Sequence, residues 1–396
     1  MFFGYLRSQN PASIVTQNVF FHSEVDEAKL CRVLKEAMTA FPLLRTRLVK
    51  SHQSPLAFFF RGYYREKAEI LAADETRLPF ESVTSKQWPT TQRSKITKIS
   101  KVDDTSLIEF VLVNQRTLHI MCDHTISDVT SLVILSKFVI KGYYGETVSG
   151  EKRRFSDFGE WQARLGSAPD SERFYKSQPV YGIPKRGLLS LLPCSIRARE
   201  SFEPVPFGRT PKGISPRIAF LTLWHSMLIE HGGSTEMIVG EVFDVRKTAW
   251  APSGLERTLG CLFHTQEWQV RYSPTMDLEA NMQRLQDDLM LQEGKKSLWS
   301  KAHGPPVGVV SEGWVFNFID IRIAQDGLPA SIQIFTPRPV TSSIIQREPS
   351  ILVFVFFDGA SVIMHIEYCC LNLSRTKARS MGSALVGKLL GSGFGS

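Results

Sequence analysis

Between Leu107 and Gly145 the spacing of apolar positions changes from one period to another, and the rest of the chain reads outward from there. Ile108 to Val113 and Thr117 to Cys122 are short, β-branched apolar runs joined by the polar turn Asn114-Gln115-Arg116, the pattern of a β-hairpin. The second run breaks into Asp123-His124-Thr125-Ile126-Ser127-Asp128. Val129, Leu132, Val133, Ser136 and Val139 then fall at helical spacing. Ser127 or Asp128 is positioned to cap that helix, because a short oxygen side chain accepts the free amide protons of its first turn.

In the first half, Ala12 to Phe21 reads as a strand. Asp26 then caps a helix whose apolar stripe is Leu30, Val33, Leu34, Ala37, Met38 and Phe41, stopped by Pro42. A second strand runs out through Leu48, and Leu56 to Phe60 is a candidate third. Residues 65–105 are mixed and loop-rich, and Phe155 to Arg164 starts a short helix. The stretch 166–204 is rich in Ser, Pro, Gly and Arg without period, as expected of a crossing between domains. The apolar patch Leu188 to Pro193 within it is expected to pack on a domain face.

The second half opens at Ser215-Pro216 with a helix that is apolar on most sides to His231. Strand patterns follow at 237–243, 307–323, 332–335, 351–356 and 361–368, with a strand pair at 259–270 and an amphipathic helix at 276–292. Asp358-Gly359 is a hairpin turn. A closing helix at 374–390 carries Ala378, Met381, Leu385 and Leu389 on one face, and 391–396 is expected to be a flexible tail. Both halves mix strands and helices without an internal repeat, so the expected class is α+β.

At 396 residues, two domains are expected, each large enough to bury a core. Lys and Arg number 47 against 39 Asp and Glu, for a net charge of +8, yet no run of basic residues points to nucleic acid. That balance suits a phosphate-bearing cosubstrate or an acidic protein partner equally well. The six cysteines show no CxxC pair, and no apolar run approaches the roughly 20 residues of a membrane-spanning helix. Without a charged, then apolar, leader at Met1 to Thr16, the expectation is a reduced, cytoplasmic setting.

His124 and Asp128 concentrate the candidate chemistry. A histidine at the mouth of a strand-to-helix turn, four residues before an acid, suits a general base. The same spacing also suits a capping Asp with a neighbouring His and no chemistry at all, or a pair of metal ligands on one helix face. The metal reading lacks further ligands nearby, since the remaining histidines are scattered along the chain.

Six blocks in order give the chain a wider likeness: LCRVLKEAMTAFPLLRTRL (30–48), LHIMCDHTISD (118–128), FLTLWHSMLIEHGGSTEMIVGEVFDVR (220–246), TLGCLFHTQEWQVR (258–271), VSEGWVFNF (310–318) and IMHIEYC (363–369). Over nearly its whole length it resembles the CoA-dependent acyltransferase superfamily, which includes condensation domains of peptide synthetases, polyketide-associated acyltransferases and alcohol acyltransferases. LHIMCDHTISD is similar to the HHxxxDG active-site block of these proteins.

The resemblance implies two chloramphenicol-acetyltransferase-like lobes, at 1–178 and 179–390, forming a pseudo-dimer with a central tunnel. His124 would be the general base that takes a proton from an acceptor hydroxyl or amine. Asp128 would be structural, paired with Arg246. Asp123, Val129, Ser311 and Asn317 would line the tunnel. The implied donor is acyl-CoA or a phosphopantetheinyl acyl thioester, with no permanently bound cofactor and no metal. The implied partners are a small-molecule acceptor and an acyl or peptidyl carrier protein, for a monomeric chain. A non-catalytic member, or one turned to another reaction such as cyclisation, is the alternative. Asp123 stands where the family has its first His, and Val129 where it has Gly, which puts a carboxylate and a branched side chain beside the base.

Two motifs are set aside. Asp157-Phe158-Gly159 is similar to a plant acyltransferase motif but lies far upstream of that motif's usual place. Gly382 to Lys388 fits GxxxxGK, with Leu389 where a Mg²⁺-binding hydroxyl belongs, and within a predicted helix.

Overall fold

The computed structural model describes residues 14–50, 66–99, 106–165, 197–231, 235–247, 251–293, 314–322, 332–335, 351–370 and 373–394. In chain order the elements are β1 (Ile14–Phe21), α1 (Glu27–Ala40), β2 (Thr46–Lys50), β3 (Glu66–Ile70), β4 (Phe80–Val83), α2 (Trp88–Ile99), β5 (Ile108–Val113), β6 (Thr117–Asp123), α3 (Val129–Tyr143) and α4 (Phe155–Leu165). They continue with β7 (Arg197–Ser201), β8 (Val205–Pro206), α5 (Pro216–Glu230), β9 (Glu236–Asp244), β10 (Phe263–Arg271), α6 (Leu278–Glu293), β11 (Trp314–Asp320), β12 (Ile332–Phe335), β13 (Ile351–Phe357), β14 (Ser361–Cys369) and α7 (Arg375–Gly391).

The chain divides into two compact units. The first is Met1–Gln162 with Asp244–Phe263 and Ala324–Ile344; the second is Ala163–Phe243 with His264–Ile323 and Ile345–Ser396. The boundary expected at 178/179, the strand expected at 56–60 and the apolar patch at 188–193 lie outside the described residues.

In the first unit α1 forms because Leu30, Val33, Leu34, Ala37 and Met38 recur at helical spacing, and all are buried. Asp26 accepts from the Lys29 amide at 3.0 Å, and the chain leaves the helix at Phe41-Pro42. Burial of Leu30 or Leu34 contributes about 1.5–3 kcal/mol each. The sheet runs β12-β1-β6-β5-β4, antiparallel except for the parallel β4–β5 pair. Side chains alternate across it. Leu118, Ile120 and Cys122 of β6 join the core with α1 and α3, while Met121 lies on the opposite face with Ile99 of α2. That register carries β6 into Asp123 and His124. The β5–β6 turn puts Asn114 and Gln115 at φ of 49° and 53°. The Asn114 side chain accepts the Ser85 amide at 2.8 Å, which holds the left-handed turn.

Helix α2 falls in the stretch read as loop-rich. Of its residues only Ile99 is buried, so its own pattern is faint. It is held from outside: Trp88 stacks on His119 at 4.0 Å, and Lys95 reaches Glu109 at 3.0 Å and Glu81 at 2.9 Å. Lys98 pairs with Glu109 as well. Glu109 is fully buried, and two ammonium partners offset the cost of removing its charge from water.

The second unit is built on a sheet ordered β10-β9-β11-β13-β14-β7, with β8 also paired to β14. β9–β11–β13 are parallel and β13–β14–β7 antiparallel. Its core gathers Phe220 and Trp224 of α5, Leu285 of α6, Met381 of α7, and Trp268, Phe316 and Val353 of the sheet. Burial around nearly the whole of α5 explains why its pattern is apolar on most sides.

Two expectations are corrected here. The strand pair expected at 259–270 is a single strand from Phe263, because residues 258–262 spend backbone groups on side chains of the site described below. The tail expected to be flexible is packed as far as Phe394. That ring is buried against Phe207, and its carbonyl accepts from the Gly208 and Arg209 amides at 2.8 and 2.9 Å. The aromatic ring of Phe394 outweighed the small residues around it.

Candidate active site

At the end of β6 the chain wraps on itself. The Asp123 carboxylate accepts from the Thr125 amide at 2.9 Å and its hydroxyl at 2.7 Å, and the Ser127 hydroxyl donates to the Asp123 carbonyl at 3.1 Å. Asp123 is buried, and these two bonds turn its carboxylate toward the inside of the turn. His124 stands half-buried at the tip, with Nδ1 2.7 Å from the Ser127 carbonyl oxygen. A carbonyl only accepts, so Nδ1 carries the proton; in the neutral ring Nε2 then holds the lone pair. Nε2 has no hydrogen-bond partner among the described residues. The ring of Phe263 packs against the imidazole with centroids 5.0 Å apart.

Behind this turn sits an ion-pair brace. Asp128 caps α3: Oδ1 accepts from the Ser131 amide and hydroxyl, both at 2.7 Å. Oδ2 accepts from Arg246 Nη1 at 2.8 Å and from the Leu262 amide at 2.9 Å. Arg246 also donates to the Thr258 carbonyl (3.0 Å), the Gly260 carbonyl (2.9 Å), Asp244 (2.9 Å) and the Ser131 hydroxyl (2.9 Å). The two side chains are 2% and 7% exposed, so water screens the pair little. Burial pushes the Asp128 carboxyl up, but the Arg246 guanidinium and the Ser131 bonds outweigh it and hold the group below the usual carboxylate range. Burial likewise opposes charge on Arg246, and Asp128 and Asp244 together keep it raised.

Arg246 and the loop at 258–262 belong to the same unit as His124. The structure therefore brings Asp128 and Arg246 into direct contact, with Asp123, His124 and Val129 on the adjoining turn. Val129 is the half-buried first residue of α3. Asn317 lies in the second unit, half-buried on β11 between Val242 of β9 and Phe354 of β13. Ser311 lies outside the described residues.

Sequence reasoning missed Ser131 and Gly260. The Ser131 hydroxyl lies within 2.7–3.0 Å of Asp128, Arg246 and both backbone groups of Gly260. Gly260 has φ +143°, and a Cβ there would meet the Phe155 ring at 2.2 Å. The glycine of the TLGC block was visible in the sequence; nothing marked Ser131 apart from any helix serine.

Other chemistries find less support at this turn. Burial, the largest cause, pushes the Cys122 and Cys261 thiols well above their ordinary range, so neither offers a thiolate at neutral pH. Among the described residues no three His, Cys, Asp or Glu side chains are grouped to hold a metal ion, and no helix is long and apolar enough to cross a membrane. Of the motifs set aside, Asp157 accepts from the Arg154 amide at 3.0 Å at the start of α4. Gly382 packs on Phe202, and Lys388 bonds Ser226 at 3.1 Å.

Arrangement and topology together define the class: the chain has the α+β fold of condensation domains. It is similar to the epimerization domain from the third module of tyrocidine synthetase B, at 12% identity and a TM-score of 0.71, over 96% of this chain and 92% of that one. The starter condensation domain of rhizomide synthetase, in complex with C8-CoA, matches at 12% identity and 0.71, over 97% and 90%. A condensation domain that mediates chain release from the enacyloxin polyketide synthase matches at 16% and 0.69, over 99% and 80%. No family model and no curated protein matches the sequence.

Proposed function

We propose that the chain is an acyltransferase that moves an acyl group from a CoA or carrier-protein thioester to a hydroxyl or amine, with His124 as general base. One observation carries this reading: Nδ1 is committed to the Ser127 carbonyl at 2.7 Å, which leaves Nε2 as the basic nitrogen of a half-buried ring. In the reaction Nε2 accepts the acceptor's proton as its oxygen or nitrogen bonds to the thioester carbonyl carbon. The C–S bond then breaks, and the imidazolium returns the proton to the departing sulfur. Atoms and charge balance without a metal or redox partner. Asp128 and Arg246 keep the turn in place and stay out of the proton path.

The resemblance supports acyl-CoA and acyl or peptidyl carrier protein as donors, the similar rhizomide synthetase domain was solved with C8-CoA, and the net charge of +8 suits either polyanionic donor. A small-molecule acceptor, a monomer and a cytoplasmic setting in polyketide, peptide or lipid metabolism belong to the same reading. Asp123 and Val129, the two departures from the family block, favour a second reading, a member that binds its partner without turnover or carries out another reaction such as cyclisation.

Incubating the protein with a panel of acyl thioesters and acceptors, followed by mass spectrometry, separates the two. New acylated acceptor formed by the parent and absent with His124→Ala supports the transferase. Saturable binding of thioester or carrier protein with no product across the panel supports the alternative.

A further inference from the structure

Among the described residues His124 makes one hydrogen bond. The bond from Nδ1 to the Ser127 carbonyl fixes one nitrogen but not the plane of the ring, which would still turn about that contact. The second contact is Phe263, whose ring lies 5.0 Å from the imidazole centroid with the planes tilted by 52°. An aromatic ring in this position covers part of the imidazole without offering a hydrogen bond to compete for Nε2.

Phe263 is itself held by the brace. The residue before it, Leu262, is fully buried and is fixed at both backbone groups. Its amide donates to Asp128 Oδ2 at 2.9 Å, and its carbonyl accepts from the Val245 amide at 2.9 Å. The anchored Leu262 carbonyl is part of the peptide bond to Phe263, whose ring follows through its own Cα and Cβ. A contiguous path thus runs from Asp128 through Leu262 and Phe263 to His124.

We propose that Phe263 is a positioning residue: it sets the plane of the His124 ring and so the direction of Nε2, and it transmits the Asp128–Arg246 brace to the base. The inference rests on His124 being the base, while its structural content is independent of turnover. Asp128 then has two duties, capping α3 and placing Phe263.

The test uses the full chain with ¹³C,¹⁵N-labelled histidine. In the parent, ring ¹³Cε1–H relaxation should show the His124 imidazole as rigid as the backbone around it. Phe263→Ala, and Phe263→Leu as a milder change in volume, should keep Nδ1 protonated by its bond to the Ser127 carbonyl but make the ring measurably more mobile, and Phe263→Tyr should restore the parent rigidity. With an acyl thioester substrate, the Ala and Leu variants should lose about 10- to 100-fold in kcat with KM little changed. Unaltered His124 ring mobility in both variants overturns the proposal, as does an equal loss with Phe263→Tyr. Increased ring mobility in a protein that turns over none of the panel would sustain the positioning role and remove the transferase reading.

Discussion

Asp128 uses both carboxylate oxygens, two bonds each, to join the start of α3 to Arg246 and the Leu262 peptide. Removing one member of so buried a pair strands the other charge. Arg246→Met or Asp128→Ala should therefore cost about 3–5 kcal/mol in denaturant unfolding. The double variant Asp128→Ala/Arg246→Met should cost less than the sum of the singles, and strict additivity would count against the brace. Because the folded Asp128 carboxyl lies below its ordinary value, its stabilisation is present above that value and is lost as pH falls through the folded one. Gly260→Ala meets both a positive φ and the Phe155 ring, and should destabilise by about 2–4 kcal/mol. At this scale the sequence was informative where a residue type is rare for its place. His124 and Asp128 stood out, and Arg246 came from the family resemblance alone; Ser131 and Phe263 did not stand out, because a helix serine and a strand phenylalanine have many ordinary uses.

Two elements carry groups whose titrations oppose each other. On β6, burial lowers His119 to about 4 under the stacked Trp88. A base lowered on folding makes the folded state lose stability as pH falls from about 6.5 toward 4. Before α4, burial raises Glu151 to about 7; its carboxylate takes the Leu259 amide, and Oε2 makes no hydrogen bond among the described residues. An acid raised on folding gives stability that is full below about 4.5 and is lost as pH rises through about 7. Glu151→Gln should therefore make stability rise more steeply with pH between about 4.5 and 7, and His119→Gln should make it rise less steeply between about 4 and 6.5. Unfolding midpoints at half-unit pH steps would show both, and parallel curves for parent and variants would contradict the assignment. Glu151 accepts the Leu259 amide from the loop that also feeds the brace. Helices α1 and α3, with their apolar stripes, and α5, with its continuous apolar run, were legible in the sequence. Helix α2 was not, because tertiary partners such as Glu109 and His119 hold it in place of an apolar stripe.

For the whole molecule, ordered blocks conveyed more than any single motif. HTISD alone leaves a base, a cap and a metal pair open, whereas six blocks in sequence implied a fold that solved structures at only 12–16% identity share. What the blocks missed lies between them: the packing of Phe394, and the use of 258–262 as a binding loop for side chains where a strand was expected. Backbone groups committed to buried charge leave no trace in hydropathy. The account as a whole depends on one nitrogen. Once a donor and acceptor pair is in hand, single-turnover release of free thiol should be followed for the parent and for His124→Ala, with their folds matched by circular dichroism and unfolding midpoint. A drop of about 10²–10⁴-fold in the acyl-transfer rate is the predicted result; equal rates would contradict it.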